Sequence, residues 1–135
     1  MFKALENAYE WAPVPLRLGL AALFGFTGIN KFMDPATTAQ FFGSLGFPVP
    51  EITVWFVIAL EILGALFLLL GLWTRITAIV LTLFLIVAIT TAYIIPWDPS
   101  KLMMLMTHWP MLGSTLALIC SGPGKWSLDE KFFWE

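Results

Sequence analysis

The sequence predicts an all-α membrane protein, a bundle of four transmembrane helices with short interfacial helices at its ends. Three observations carry that prediction. Four apolar runs are each about 20 residues long, enough to cross a ~30 Å hydrocarbon layer at ~1.5 Å rise per residue. Of the 135 residues, 59% are hydrophobic and only 12% charged, against roughly 25% charged in ordinary soluble domains. The seven tryptophans fall near the ends of those runs, as an aromatic belt at the headgroups requires.

Taken in order, Phe2, Leu5 and Tyr9 recur at helical spacing in residues 2–11, which suits a helix lying in the interface or a frayed tail. The mixed charge of this stretch and its lack of a small-residue cleavage site do not read as a removable signal peptide. The first crossing spans 13–33, with Pro13 and Pro15 in its first turn, where a missing N–H does no harm. Its small residues Gly19, Ala21, Ala22, Gly25 and Gly28 let another helix approach closely. Residues 36–46 form an interfacial or re-entrant turn of helix ended by Gly46 and Pro48. The second crossing, 51–72, is separated by a very short turn from the third, 75–94, so the two must be antiparallel neighbours. The fourth runs over 102–121 and is stopped by Gly122, Pro123 and Gly124. Ser127 to Glu130 then offers a capping box for a last short helix over 127–134. Residues 1–135 thus read as a single transmembrane domain with both termini on one side. Lys3, Arg17, Arg75, Lys125 and Lys131 fall on that side against Lys31 and Lys101 on the other, which predicts cytoplasmic termini.

Composition also excludes. A net charge of −2 with no basic run argues against nucleic acid as a partner. A single cysteine, Cys120, permits neither an internal disulfide nor a two-cysteine relay within the chain. One histidine leaves no pair for a bis-imidazole haem in one protomer, there is no cysteine cluster for an iron–sulfur centre, and no haem is expected. The six methionines, among them Met103, Met104 and Met106, read as packing, and no metal site is expected.

Chemistry in such a chain concentrates on its intramembrane polar groups. Glu61 lies near the middle of the second crossing, where a carboxyl group costs roughly 2.5–3.5 kcal/mol unless it faces protein or water and has a partner. Counting rise per residue from matched helix ends places Arg17 about 9 Å toward the cytoplasm from Glu61 and Lys31 about 12 Å toward the outside. At 100° per residue, Arg17, Phe24, Gly28 and Lys31 share one stripe of the first helix, which could flank the acid. His108 lies about 6 Å outward of Glu61 on the fourth helix, and Pro110 two residues later frees the Met106 carbonyl. Glu61 and His108 are therefore the candidate catalytic residues, meeting directly or through one water. Arg17, Phe24, Gly28, Asn30, Lys31, Gly64 and Trp109 are the candidate ligand-binding residues. Each has a plainer role beside it: Arg17 as the ion-pair partner of Glu61, Lys31 snorkelling to the headgroups, His108 as an interfacial histidine beside Trp109, and Asn30, Thr90 and Thr91 as interhelical hydrogen-bonders.

Nearly the whole chain resembles the DoxX family of small four-helix membrane proteins. The likeness rests on Arg17 followed by Gly19, on Gly28-x-x-Lys31, on the Gly46-Phe47-Pro48 turn, on Glu61-x-x-Gly64 with Gly71-Leu72-x-Thr74-Arg75, and on the tail from Gly122 to Asp129. It implies a multi-pass protein of a prokaryotic cytoplasmic membrane and a redox context, since that family includes the small subunit of a thiosulfate:quinone oxidoreductase. The resulting expectation is a membrane oxidoreductase component with quinone, or a similar small apolar ring, bound between helices, and with proton exchange through Glu61 and His108. Electrons would come from a redox partner subunit or a diffusible reductant, because the chain has no glycine motif for a dinucleotide. Two alternatives stand: a small-solute transporter or channel, which at this size calls for a homo-oligomer, and a non-catalytic anchor or assembly subunit of a redox complex.

Overall fold

The computed structural model describes residues 2–95 and 97–133 and holds no strand among them. Seven α-helices follow in order: α1 (Phe2–Trp11), α2 (Pro13–Met33), α3 (Pro35–Ser44), α4 (Pro50–Leu70), α5 (Thr74–Ile89), α6 (Leu102–Ser121) and α7 (Leu128–Phe133). A π-turn, Thr90–Ile94, extends α5, and a 3₁₀ turn, Pro99–Lys101, leads into α6. The helices anticipated at 2–11, 13–33 and 102–121 lie where the sequence placed them, and those at 51–72 and 36–46 are shifted by a residue or two. Trp134, counted in the aromatic belt, and Pro96 fall outside the described residues.

Local sequence sets the boundaries. Pro13, Pro35 and Pro50 each occupy a first-turn position, where proline's fixed φ suits a helix and its missing N–H is not needed. Asp34 ends α2 and begins α3, its N–H donating to the Asn30 carbonyl and its carboxylate accepting from the Thr37 N–H at 3.2 Å. Gly71, at φ 65°, ends α4, and Leu72 N–H reaches back to the Phe67 carbonyl at 2.9 Å.

The four long helices pack as two antiparallel pairs. α2 lies closely along α4, and α5 along α6; the pairs meet more sparingly where α4 touches α5 and α2 touches α6. The first and last described helices, α1 and α7, lie at one end of the bundle, here the proximal end; the α2–α4 and α5–α6 connections lie at the other, the distal end. Leu20, Phe24, Leu68, Leu81, Leu85 and Leu118 fill the axis, none more than 2% exposed. Nearer the distal end Ile89, Ala92, Tyr93 and Leu105 form a second cluster, against which Leu45 from the loop after α3 is packed. Most of the outward side chains are apolar, as a lipid-facing surface demands. Thr82 and Thr115 share a buried hydrogen bond of 2.9 Å between α5 and α6.

Candidate functional site

The closeness of α2 and α4 creates the site. A Cβ on Gly28 would lie 3.1 Å from the Glu61 Cβ and 2.9 Å from Ile62 Cγ1, and one on Gly25 would lie 3.7 Å from the Ala65 Cβ. Gly28 thus stands opposite Glu61. Lys31 is one turn further on, about 4.5 Å along the axis, while Arg17 is about 16 Å away in the other direction. The Lys31 ammonium reaches both carboxylate oxygens of Glu61, at 2.9 and 2.8 Å. The acid's side chain is only 4% exposed, the lysine's 24%. The expected pairing with Arg17 is therefore replaced by one with Lys31, and Lys31 does not snorkel away. α4 begins about seven residues beyond the end of α2, and that overhang is covered by α3, so helices aligned by their ends give the wrong register. The Thr27 hydroxyl lies beside the carboxylate, and His108 of α6 is within electrostatic range of it.

His108 does not meet Glu61 directly. Its Nδ1 is 2.7 Å from the Met104 carbonyl, so Nδ1 carries a proton and donates to that oxygen. The imidazole lies against Tyr93, ring centres 5.1 Å apart. The π-turn puts the tyrosine there, its Ile95 N–H bonding to the Thr90 carbonyl five residues back at 2.9 Å. Pro110 lies within α6 without ending it.

Arg17 belongs to a second polar centre at the proximal end. It is 1% exposed and donates through Nη2 to the Trp126 carbonyl at 3.0 Å, while Nε and Nη1 have no protein partner. Gly71 is required there: a Cβ would collide with the guanidinium and with Ser127. The Asp129 carboxylate, in range of Arg17, accepts from the Trp73 and Thr74 N–H groups at 2.6 and 2.8 Å and caps α5. The capping box read from the sequence is present in part, with Ser127 Oγ accepting from Glu130 N–H at 3.1 Å. Lys125 bridges Glu10 and Glu130 at 3.2 Å each, and hydrogen bonds to the two carboxylates hold its pKa above the ordinary lysine value.

The other candidates scatter. Phe24 is a core side chain, 6.5 Å from the Phe84 ring. Gly64 is buried beneath Leu81, whose Cδ2 would meet a Cβ there at 3.0 Å. Asn30 and Trp109 are exposed on the outer surface, away from Glu61. Among the described residues no three of His, Cys, Asp and Glu gather as a metal site. Sequence reasoning missed Thr27, Tyr93 and Asp129. The first two could have been found only through the helix register and the π-turn; Asp129 stood in the anticipated capping box, but its reach to α5 spans 55 residues. An apolar groove of about 370 Å³ runs along the outside of the α2–α4 seam, lined by Leu18, Ala22, Gly25, Ile62 and Leu66 among others. Chemically, the distal centre is a carboxylate–ammonium pair in an apolar bundle, able to hold a proton and to present a donor toward its open side.

The chain is similar in sequence to several known proteins. The chain is 33% identical over 87 residues to the "Putative oxidoreductase CatD" of Bacillus subtilis (strain 168), a match spanning 64% of this chain and 63% of that protein. It is 28% identical over 123 residues to the "Inner membrane protein YphA" of Escherichia coli (strain K12), covering 85% of this chain and 86% of the relative. To the "Uncharacterized membrane protein Rv3486" of Mycobacterium tuberculosis (strain ATCC 25618 / H37Rv) it is 29% identical over 127 residues, covering 86% and 78%. No solved structure gives a significant match. The DoxX family model matches residues 12–94, from the start of α2 to the end of the π-turn and including both halves of the Lys31–Glu61 pair, so this four-helix membrane protein belongs to the DoxX family.

Proposed function

We propose that this chain is the membrane component of an oxidoreductase, binding a quinone or a similar flat apolar ring against the Lys31–Glu61 pair. The proposed setting is a prokaryotic cytoplasmic membrane with both termini on the cytoplasmic side. One observation carries the proposal: the ammonium bridges both oxygens of an acid that is almost wholly enclosed, yet the lysine itself stays a quarter open. The open side leaves part of the ammonium's donor capacity unspent, since Glu61 takes only the N–H groups that face it. The residues fit a ring carbonyl, which needs a hydrogen-bond donor in apolar surroundings, and Lys31 offers one on its open side. The name of the Bacillus relative supports the redox class.

A bound quinone would supply a two-electron, two-proton acceptor, its electrons coming from a redox partner subunit or a diffusible reductant. The protein's own residues manage charge and protons. Lys31 would donate to a ring carbonyl and could yield a proton to it, and the Glu61 carboxylate, then without its counter-charge inside the bundle, would draw a replacement inward. His108 of the facing helix pair, within electrostatic range of Glu61, would relay that proton. Transport is less well supported, because Leu20, Phe24, Leu68 and Leu81 fill the axis between Glu61 and Arg17.

The test is mass spectrometry of lipid extracts from the purified protein. Quinone should co-purify with the wild type and be lost from Lys31→Met/Glu61→Gln, which leaves no lone charge in the bundle and should melt close to the wild type. Absence of quinone from the wild type, or its retention by the double variant, would overturn the proposal.

A further inference from the structure

The links between the two helix pairs are confined to one end. Both distal connections, through α3 and through the 3₁₀ turn, join helices of the same pair, so neither holds the pairs together. The one direct connection between pairs, Gly71 to Trp73, is proximal. Among the described residues, the hydrogen bonds that tie the pairs together also lie there. They run through the strap after α6: Arg17 to the Trp126 carbonyl, Asp129 N–H to the Gly71 carbonyl at 3.0 Å, and Trp73 and Thr74 N–H to the Asp129 carboxylate. The Lys31–Glu61 and Thr82–Thr115 bonds each stay within one pair. Across the distal seam no hydrogen bond joins the pairs among the described residues; the contacts are chiefly apolar, with Leu45 against the cluster around Tyr93 and Leu105, and His108 is within electrostatic range of Glu61 without touching it.

We infer that the two helix pairs open against each other at the distal end, pivoting about the proximal strap, and that the widened α2–α6 seam is the access route of the ring to Lys31. The second half of this inference rests on the proposed function; the first does not. Apolar contacts slide and re-form within a bilayer, where lipid tails compensate their separation, whereas charge-assisted bonds to Asp129 resist it. The residues of the proposed site are divided accordingly, Lys31 and Glu61 on one pair, His108 and Tyr93 on the other, so opening exposes the open side of Lys31 and closure brings the imidazole back toward the acid.

Spin-label distances in lipid nanodiscs test this. The distal pair is Phe32→Cys with Met103→Cys in a Cys120→Ser background, both positions being exposed at 57% and 79%. The proximal pair is Leu18→Cys with the native exposed Cys120. The distal distance distribution should be at least about twice as wide as the proximal one and should shift on addition of a short-chain ubiquinone analogue. Equally narrow distributions at both ends would overturn the opening itself. A wide distal distribution that ignores the analogue, in protein from which quinone co-purifies, would overturn the access route while leaving ring binding intact. A wide distribution in protein that binds no quinone would keep the opening and remove the ring.

Discussion

Gly28 and Glu61 face each other across α2 and α4 at the separation a missing side chain allows, and the register they set brings Lys31 onto the acid. Gly28→Ala should destabilise, because its Cβ would meet Ile62 Cγ1 at 2.9 Å and Glu61 Cβ at 3.1 Å, neither of them the far end of a flexible side chain, and overpacking of about 1–3 kcal/mol outweighs a helix-propensity gain of about 1 kcal/mol. Gly28→Leu adds three more carbons to the same contact and should cost more than Gly28→Ala. Thermal unfolding in detergent would distinguish the two.

Removing one partner of the Lys31–Glu61 pair should hurt more than removing both. Lys31→Met leaves a carboxylate with a 4% exposed side chain and should cost about 3 kcal/mol. Glu61→Gln should cost less, because the partly open lysine can turn toward the headgroups. The double variant should recover most of the loss, and a double-mutant cycle built on melting temperatures would show a coupling near zero if the pair were merely incidental.

Asp129→Ala should loosen the proximal end. It deletes the acceptor of two backbone N–H groups at the start of α5 and a charge in range of the buried Arg17, a loss of about 1–3 kcal/mol. Tryptic cleavage after Lys125 should become faster in the variant than in the wild type. An unchanged cleavage rate would mean that Asp129 does not hold the strap.

Lys125 gives the strap a pH dependence. Its pKa is raised in the folded state by hydrogen bonds to Glu10 and Glu130. Its contribution is therefore complete below the ordinary lysine value and fades as pH rises through the higher folded-state value, in the region above about pH 10. Trp11 and Trp126 stack edge-on at 5.1 Å beside this contact, so tryptophan emission should change over that alkaline range in the wild type and not in Lys125→Met.

The crossings were legible because each carries its own signal: an apolar run, a proline at its start, or a glycine with positive φ at its end, as at Pro50 and Gly71. Relations between crossings were not. Matched helix ends placed Arg17 near Glu61 and Lys31 far from it, and the overhang covered by α3 reverses that order. Nothing in the run around Tyr93 distinguishes a π-turn from an α-turn, so the stacking of Tyr93 on His108 was hidden. The positive φ of Val49, Trp73 and Trp126 is equally silent in sequence, since these residue types rarely adopt it and the surrounding packing enforces it.

The π-turn at Thr90–Ile94 holds one residue more than the α-turn it replaces. A helix that has absorbed such a spare link can give it up again without breaking. Deleting one residue there would close the turn to an α-turn and change which of its side chains faces inward, leaving the rest of α5 in place. A single lost or gained codon is thus enough to change which side chain this rim of the protein offers to the space beside His108, a simple way for otherwise alike bundles to diverge in what they recognise.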